Sequence, residues 1–144
     1  MILKKSIFAI CAMIVSTYTM AATMEAPTLK EIMQDLRDSL GEITDGLLVD
    51  DFDRIATGAM GIVEHAPIPP SQVSQIADEL GPEMAAFKLF DEKVHGLSLS
   101  MATAASEHDR NTVMRDYQRM VEGCLACHMT FKNRVSEVLN KAPE

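Results

Sequence analysis

The chain has 144 residues, of which 47% are hydrophobic and 24% charged, a composition that indicates one globular domain and excludes a disordered chain. Its net charge of −8 disfavours binding to nucleic acid or anionic lipid and suits a partner protein with a basic surface. Trp is absent and aromatic residues make up only 5%, so Ala, Leu and Met dominate the apolar positions, which favours helices over sheets.

Residues 1–22 have the pattern of a cleaved export signal. Two lysines near the start precede an apolar run from Ile7 to Val15 that is too short to span a membrane, and small residues follow at Ala21 and Ala22. We expect cleavage after one of these two alanines, the alternative being an uncleaved membrane anchor. Cleavage would remove two lysines and no acid, changing the net charge to −10. No later segment is apolar enough to span a bilayer, so residues 23–144 are predicted to form one domain without an integral membrane segment.

After residue 22, apolar residues recur at spacings of three and four, which predicts amphipathic helices. Four long helices are expected: 28–48, a second that follows Asp50 and Asp51 and ends before Pro67, 82–106, and 109–140. Between the second and third, Ser71 is predicted to cap a short helix over 72–80, and Gly81 and Pro82 then break the chain. No alternation typical of a strand competes with this pattern. The predicted fold is therefore all-α, an antiparallel four-helix bundle.

The last predicted helix carries Cys124, Cys127 and His128, which form a C-x-x-C-H motif. An exported protein with one such cysteine pair offers three interpretations: a disulfide, half of a metal site, or a covalent haem site. Spacings of three and four residues place the two thiols and the imidazole on one helical face. The thiols can then bond the two vinyl groups of a haem while the imidazole reaches the iron, which is the known meaning of C-x-x-C-H.

The other meanings of the cysteine pair fit this sequence less well. A redox-active pair normally opens a helix after a strand, whereas this pair lies deep within a predicted helix. A zinc site needs four ligands, and His65, His95 and His108 show no ligand spacing. We expect His65 at a helix end and His108 in a solvated loop. His95 is expected either at the border of the core or as a contact of the haem.

A four-helix pattern with C-x-x-C-H near its C-terminal end resembles the class II cytochromes c, the group of cytochromes c′ and c-556. The residues that carry this resemblance are Cys124, Cys127 and His128, followed by Phe131 and Lys132. Family members often have Arg after the aromatic residue, so Lys132 or the nearby Arg134 is the candidate contact of a haem propionate. The resemblance implies one covalently bound haem c, with His128 as the proximal iron ligand.

The resemblance also implies that the first helix covers the opposite face of the haem. Cytochrome c-556-like members present a methionine sulfur to the iron there, whereas cytochrome c′-like members present an apolar residue and leave the iron five-coordinate. Met33 is the candidate sulfur ligand, and a register shift of one turn would place Leu29 or Leu36 there instead. Arg37, one turn after Met33, is a further candidate for a propionate contact.

We therefore expect a periplasmic protein that transfers single electrons and is not an enzyme, because no acid–base pair is visible and a thioether ligand suits electron transfer. The alternative is a five-coordinate, cytochrome c′-like protein that binds NO or CO. A third hypothesis is a haem-free helical binding module with a disulfide. The expected partner is a basic redox protein, with no nucleic acid, and the resemblance implies a homodimer formed through the first two helices.

Overall fold

A computed structural model describes residues 26–141, which form α-helices and one short 3-10 helix, with no strand in that range. The helices are α1 (Leu29–Val49), α2 (Phe52–Val63), α3 (Pro70–Leu80), α4 (Met84–Ser106) and α5 (Arg110–Asn140), and the 3-10 helix is Gly81–Glu83. The all-α prediction is confirmed, and the four predicted long helices correspond to α1, α2, α4 and α5. The predicted export signal lies outside the described residues.

Side-chain caps explain where three of the helices begin. Thr28 and Glu31 form a capping box at α1: the Thr28 hydroxyl accepts from the Glu31 amide at 3.3 Å, and the Glu31 carboxylate accepts from the Thr28 amide at 2.8 Å. Asp51 and Asp109 cap α2 and α5, each accepting hydrogen bonds from backbone amides in the first turn. Because these amides have no partner within the helix, the capping residues determine each start locally.

α3 begins earlier than the sequence predicts. The predicted cap Ser71 lies inside the helix, whose first residue is Pro70 and whose N-cap is Pro69, with no side-chain cap bond. Proline suits the first helical position because its φ is already helical and its missing amide would have had no partner there. The proline-rich connection therefore starts α3 instead of only separating two helices.

The long helices pack in chain order, α1 on α2, α2 on α4, and α4 on α5, while α3 packs mainly on α5. α1 and α5 pack little against each other. They are joined towards one end by a hydrogen bond between Thr44 and Tyr117, at 2.9 Å, and by an ion pair between Asp50 and Arg110. The opposite halves of these two helices form the walls of a cleft.

Two glycines allow α1 and α2 to approach closely. A Cβ atom at Gly58 would lie 2.7 Å from the Ser39 carbonyl oxygen and 2.9 Å from Ile43 Cγ1. A Cβ atom at Gly46 would lie 2.8 Å from Ile55 Cγ1. These separations are shorter than van der Waals contact, so this helix pair requires glycine at both positions.

The buried side chains form two hydrophobic clusters. The larger one joins α1, α2, α4 and α5 through Ile43, Ile55, Ala59, Ile62, Met101, Ala102, Ala104, Ala105, Val113 and Met120. The smaller one joins the start of α1 to α3 and α5 through Leu29, Ile76, Leu80, Phe131 and Val135. Phe87 and Phe90 of α4 pack edge-to-face on Phe131, with ring centroids 5.6 and 6.1 Å apart. The cleft is lined by residues of both clusters.

Candidate functional site

An apolar cleft lies between α1 and α5. It consists of two adjoining cavities of about 270 and 430 Å³. The residues that line both are Leu29, Met33, Arg37, Phe87, Cys127 and His128. Because protein interiors are normally close-packed, an apolar space of this size is the expected place for a ligand or cofactor.

The three residues of the C-x-x-C-H motif lie together near the middle of α5, and all three line the cleft. Cys124 and Cys127 are half-buried, and their thiols are free. His128 is exposed, although it shares a helical face with the two half-buried cysteines. The motif therefore presents two thiols and an imidazole from one helix to the same cleft, as the spacing predicts.

The surroundings of the two thiols disfavour the ionised form of each. Burial raises the pKa of Cys124. Burial also raises the pKa of Cys127, and repulsion from Cys124, when that thiol is ionised, and from the Asp91 carboxylate raises it further. A C-x-x-C pair that exchanges disulfides depends on a lowered thiol pKa. The electrostatics of this pair are therefore the opposite of those of a thiol oxidoreductase.

Residues of α1 form the wall that faces the motif. Met33 lines both cavities and is 39% exposed, whereas its neighbour Ile32 is 1% exposed and lines only the smaller cavity. Leu29 and Leu36, the alternatives one turn away from Met33, line the cleft as well. The structure thus brings the thioether of Met33 and both leucines to the cleft.

The three basic residues expected as candidate propionate contacts differ in whether they line the cleft. Arg37 lines both cavities, and its side chain, which is 72% exposed, pairs through the guanidinium with the aspartate that follows it. Lys132 lines the larger cavity. Arg134 lines neither, because it binds the carboxylates of Glu79 and Glu83 at 3.3 and 2.9 Å and so joins α5 to the end of α3. Of the two bases after the motif, Lys132 is the one at the cleft.

His65 and His95 lie together in the structure, although their positions in the sequence show no ligand spacing. The rings of His65 and His95 lie edge-to-face with centroids 4.8 Å apart, and His65 Nε2 is 3.8 Å from Asp91 Oδ1. These residues are 30 positions apart, so no helical spacing could reveal their contact. His108 is exposed, as predicted, and its ring lies 4.8 Å from that of Phe52.

No protein-family model, curated protein or solved structure matches this chain. Over residues 26–141, no helix combines the length and the apolar character that a membrane span needs. The chemistry of the cleft is therefore the basis for assigning a function.

Proposed function

We propose that this protein is a periplasmic c-type cytochrome of the class II kind, an antiparallel four-helix bundle with one covalently attached haem c. The observation that carries the proposal is the position of Cys124, Cys127 and His128, which line a large apolar cleft with both thiols free. Haem, when bound, supplies one-electron transfer between ferrous and ferric iron.

The donor groups of the cleft fit such a cofactor. Cys124 and Cys127 are proposed to form thioethers with its two vinyl groups, and His128 to ligate the iron on the proximal side. The apolar side chains of both hydrophobic clusters would exclude water from the macrocycle. Two free thiols, an imidazole and an apolar cleft together support haem attachment better than a disulfide. A disulfide would consume both thiols and would not explain the cleft.

Met33 is proposed as the second iron ligand, since it lies on the α1 wall of the cleft that His128 also lines. A thioether is a soft, neutral donor that raises the reduction potential and suits electron transfer. Arg37 and Lys132 are proposed to bind the propionates, because both line the larger cavity and both carry the opposite charge.

A second candidate is a cytochrome c′-like protein that binds NO or CO. The observation in its favour is that Leu29 and Leu36 line the cleft beside Met33, so an apolar side chain is available to guard an open iron face. The optical spectrum distinguishes the two functions. Low-spin spectra support ligation by His128 and Met33, whereas a high-spin ferrous form that takes up CO without displacing a protein ligand supports gas binding.

The proposal is tested by producing the chain together with the haem-attachment machinery and measuring pyridine haemochrome and intact mass. We expect one haem per chain that survives denaturation. Cys124→Ala and Cys127→Ala should each lose one thioether bond, and the double variant should lose covalent haem. Ala126→Ser, between the two cysteines, changes no donor and is the matched control. A wild-type chain without covalent haem would overturn the proposal.

We also propose a basic redox partner and a homodimer formed through α1 and α2. The acidic net charge supports the first. The second is supported by Leu48 and Val49 at the end of α1, which are 79% and 68% exposed. Electron-transfer rates that fall with ionic strength would support a charged partner. Sedimentation of the wild type and of Leu48→Ser at several concentrations tests the dimer, and identical monomeric behaviour would exclude it.

A further inference from the structure

Three metal-ligating side chains converge beside the cleft without using the C-x-x-C-H motif. His65 comes from the connection after α2, and Asp91 and His95 are four residues apart on one face of α4. Their ligand atoms all lie within 4.8 Å of one another. His65 and Asp91 also line the smaller cavity.

The hydrogen bond of His65 shows which of its ring nitrogens carries a proton. Its Nδ1 atom lies 2.7 Å from the carbonyl oxygen of Ala66, and since a carbonyl only accepts, Nδ1 carries the proton. In the neutral ring, Nε2 then presents a lone pair towards the Asp91 carboxylate, 3.8 Å away. A histidine whose other nitrogen donates to a backbone carbonyl is the usual arrangement of a metal ligand.

Each of the two histidines in this cluster has one ring nitrogen without a hydrogen-bond partner in the described part of the chain. Nε2 of His65 and Nε2 of His95 are both buried, and neither has a hydrogen-bond partner among residues 26–141. Buried polar atoms are nearly always hydrogen-bonded, because an unsatisfied one costs free energy. A cation held between the two rings and the Asp91 carboxylate would satisfy all three groups.

We propose that His65, Asp91 and His95 bind one divalent transition-metal ion, with Zn²⁺ as the probe. Two imidazoles and one carboxylate, with a fourth position left to water, are the donor set of many zinc sites. Zinc–nitrogen bonds of about 2.0–2.1 Å place tetrahedral ligands roughly 3.4 Å apart, so the cluster must contract on binding. Asp91 can supply this movement because its side chain is 59% exposed.

The ion would join the connection after α2 to α4 at the wall of the cleft. The cluster includes none of the residues proposed to attach or ligate the haem, but His65 and Asp91 line the same cleft. The metal site is therefore tested in the chain without attached haem. Cys127 could also bind zinc, because thiolates are zinc ligands and the charge of Asp91 acts on the pKa of this nearby thiol. The test must therefore remove the thiols.

The experiment is a calorimetric titration of Zn²⁺ alone into the full chain carrying Cys124→Ala and Cys127→Ala. We expect one equivalent to bind, with a dissociation constant of roughly 10 µM or below. His65→Gln and Asp91→Asn should each weaken binding by at least about tenfold. His108→Gln and Glu92→Gln are the matched controls, since both residues are exposed and lie outside the cluster, and they should leave binding unchanged.

Thermal unfolding with and without Zn²⁺ gives an independent measurement, because a ligand that binds only the folded state raises the midpoint. The midpoint should rise in the thiol-free background and stay unchanged after Asp91→Asn. If the chain with Cys124→Ala and Cys127→Ala is unstable, the wild-type chain with both thiols alkylated is titrated in its place. The absence of binding in whichever form is titrated, as expected if His65 is a charged ion-pair partner of Asp91, would overturn the proposal. Binding that His65→Gln and Asp91→Asn leave intact would overturn it equally.

Discussion

The hydroxyl groups of Thr44 and Tyr117 lie 2.9 Å apart and join α1 to α5 at the end where these helices meet. The Thr44 hydroxyl already donates to the carbonyl oxygen of Leu40, at 2.8 Å, so the tyrosine must be the donor between the two side chains. Because the backbones of α1 and α5 make few close contacts, this bond and the ion pair of Asp50 and Arg110 help to set where the cleft between the helices closes.

Tyr117→Phe should therefore destabilise the protein by about 1 kcal/mol, the typical net contribution of one hydrogen bond. Urea unfolding measures the change. A double-mutant cycle with Thr44→Val separates the bond from the loss of the Leu40 contact, and the two variants should be non-additive. Additive effects would mean that the hydroxyl pair contributes no coupling between the helices.

Gly58 of α2 and Gly41 of α1 should respond in opposite directions to alanine. Gly58→Ala places a methyl group against the backbone of α1 and should cost about 1–3 kcal/mol, as overpacking typically does. Gly41 lies at an exposed position of α1, and a Cβ atom there would meet no atom beyond its own helix backbone within 4 Å. Gly41→Ala should therefore stabilise the protein by about 0.5–1 kcal/mol, because alanine has the higher helix propensity. Chemical denaturation of both variants is the measurement, and a neutral Gly58→Ala would contradict the close approach.

The proposed ligand Met33 has a matched control in Met114. The two methionines are 39% and 40% exposed, but only Met33 lines the cleft. With haem attached, Met33→Leu should convert a low-spin spectrum to a high-spin one and lower the reduction potential, since the thioether donor is lost. Met114→Leu should change neither quantity. Equal spectra for wild type and Met33→Leu would show that Met33 is not an iron ligand.

The ion pair of Asp50 and Arg110 should make part of the stability depend on pH. The hydrogen bond from Arg110, together with its charge, holds the pKa of Asp50 below its usual 3.8. Because this pKa is lower in the folded state, the contribution is present above the unfolded-state pKa and is lost as the pH falls through the folded-state pKa. NMR titration of Asp50 should show the lowered pKa in the wild type and a value nearer 3.8 in Arg110→Gln.

Unfolding experiments follow the same pair. Arg110→Gln should be less stable than the wild type at neutral pH, and the difference should shrink in acid. The part that remains in acid reports the packing of the Arg110 guanidinium over the Phe52 ring, 5.5 Å from its centroid, which needs no carboxylate. Arg119→Gln is the control, because it removes one positive charge from an exposed position of α5. It should leave the Asp50 titration unchanged.

Local features of the sequence were sufficient to predict the helices and the face on which the motif lies. The apolar spacing and the caps Asp51 and Asp109 act within a few residues, so the starts of α2 and α5 could be predicted without knowing the packing. Helical spacings of three and four residues likewise place Cys124, Cys127 and His128 on one face of α5. The start of α3 differs from the prediction because Pro69 and Pro70 begin this helix, whereas Ser71 was expected to cap it.

Only the tertiary structure decided which distant residues share a site. The cleft exists because α1 and α5 meet near Thr44 and Tyr117 and stand apart around Met33 and His128, which no periodicity encodes. In the same way, the packing of α2 against α4 brings His65 to His95 across 30 positions of sequence. Helical spacing acts over one or two turns, whereas these contacts depend on the angles and lengths of whole helices and on the connections between them.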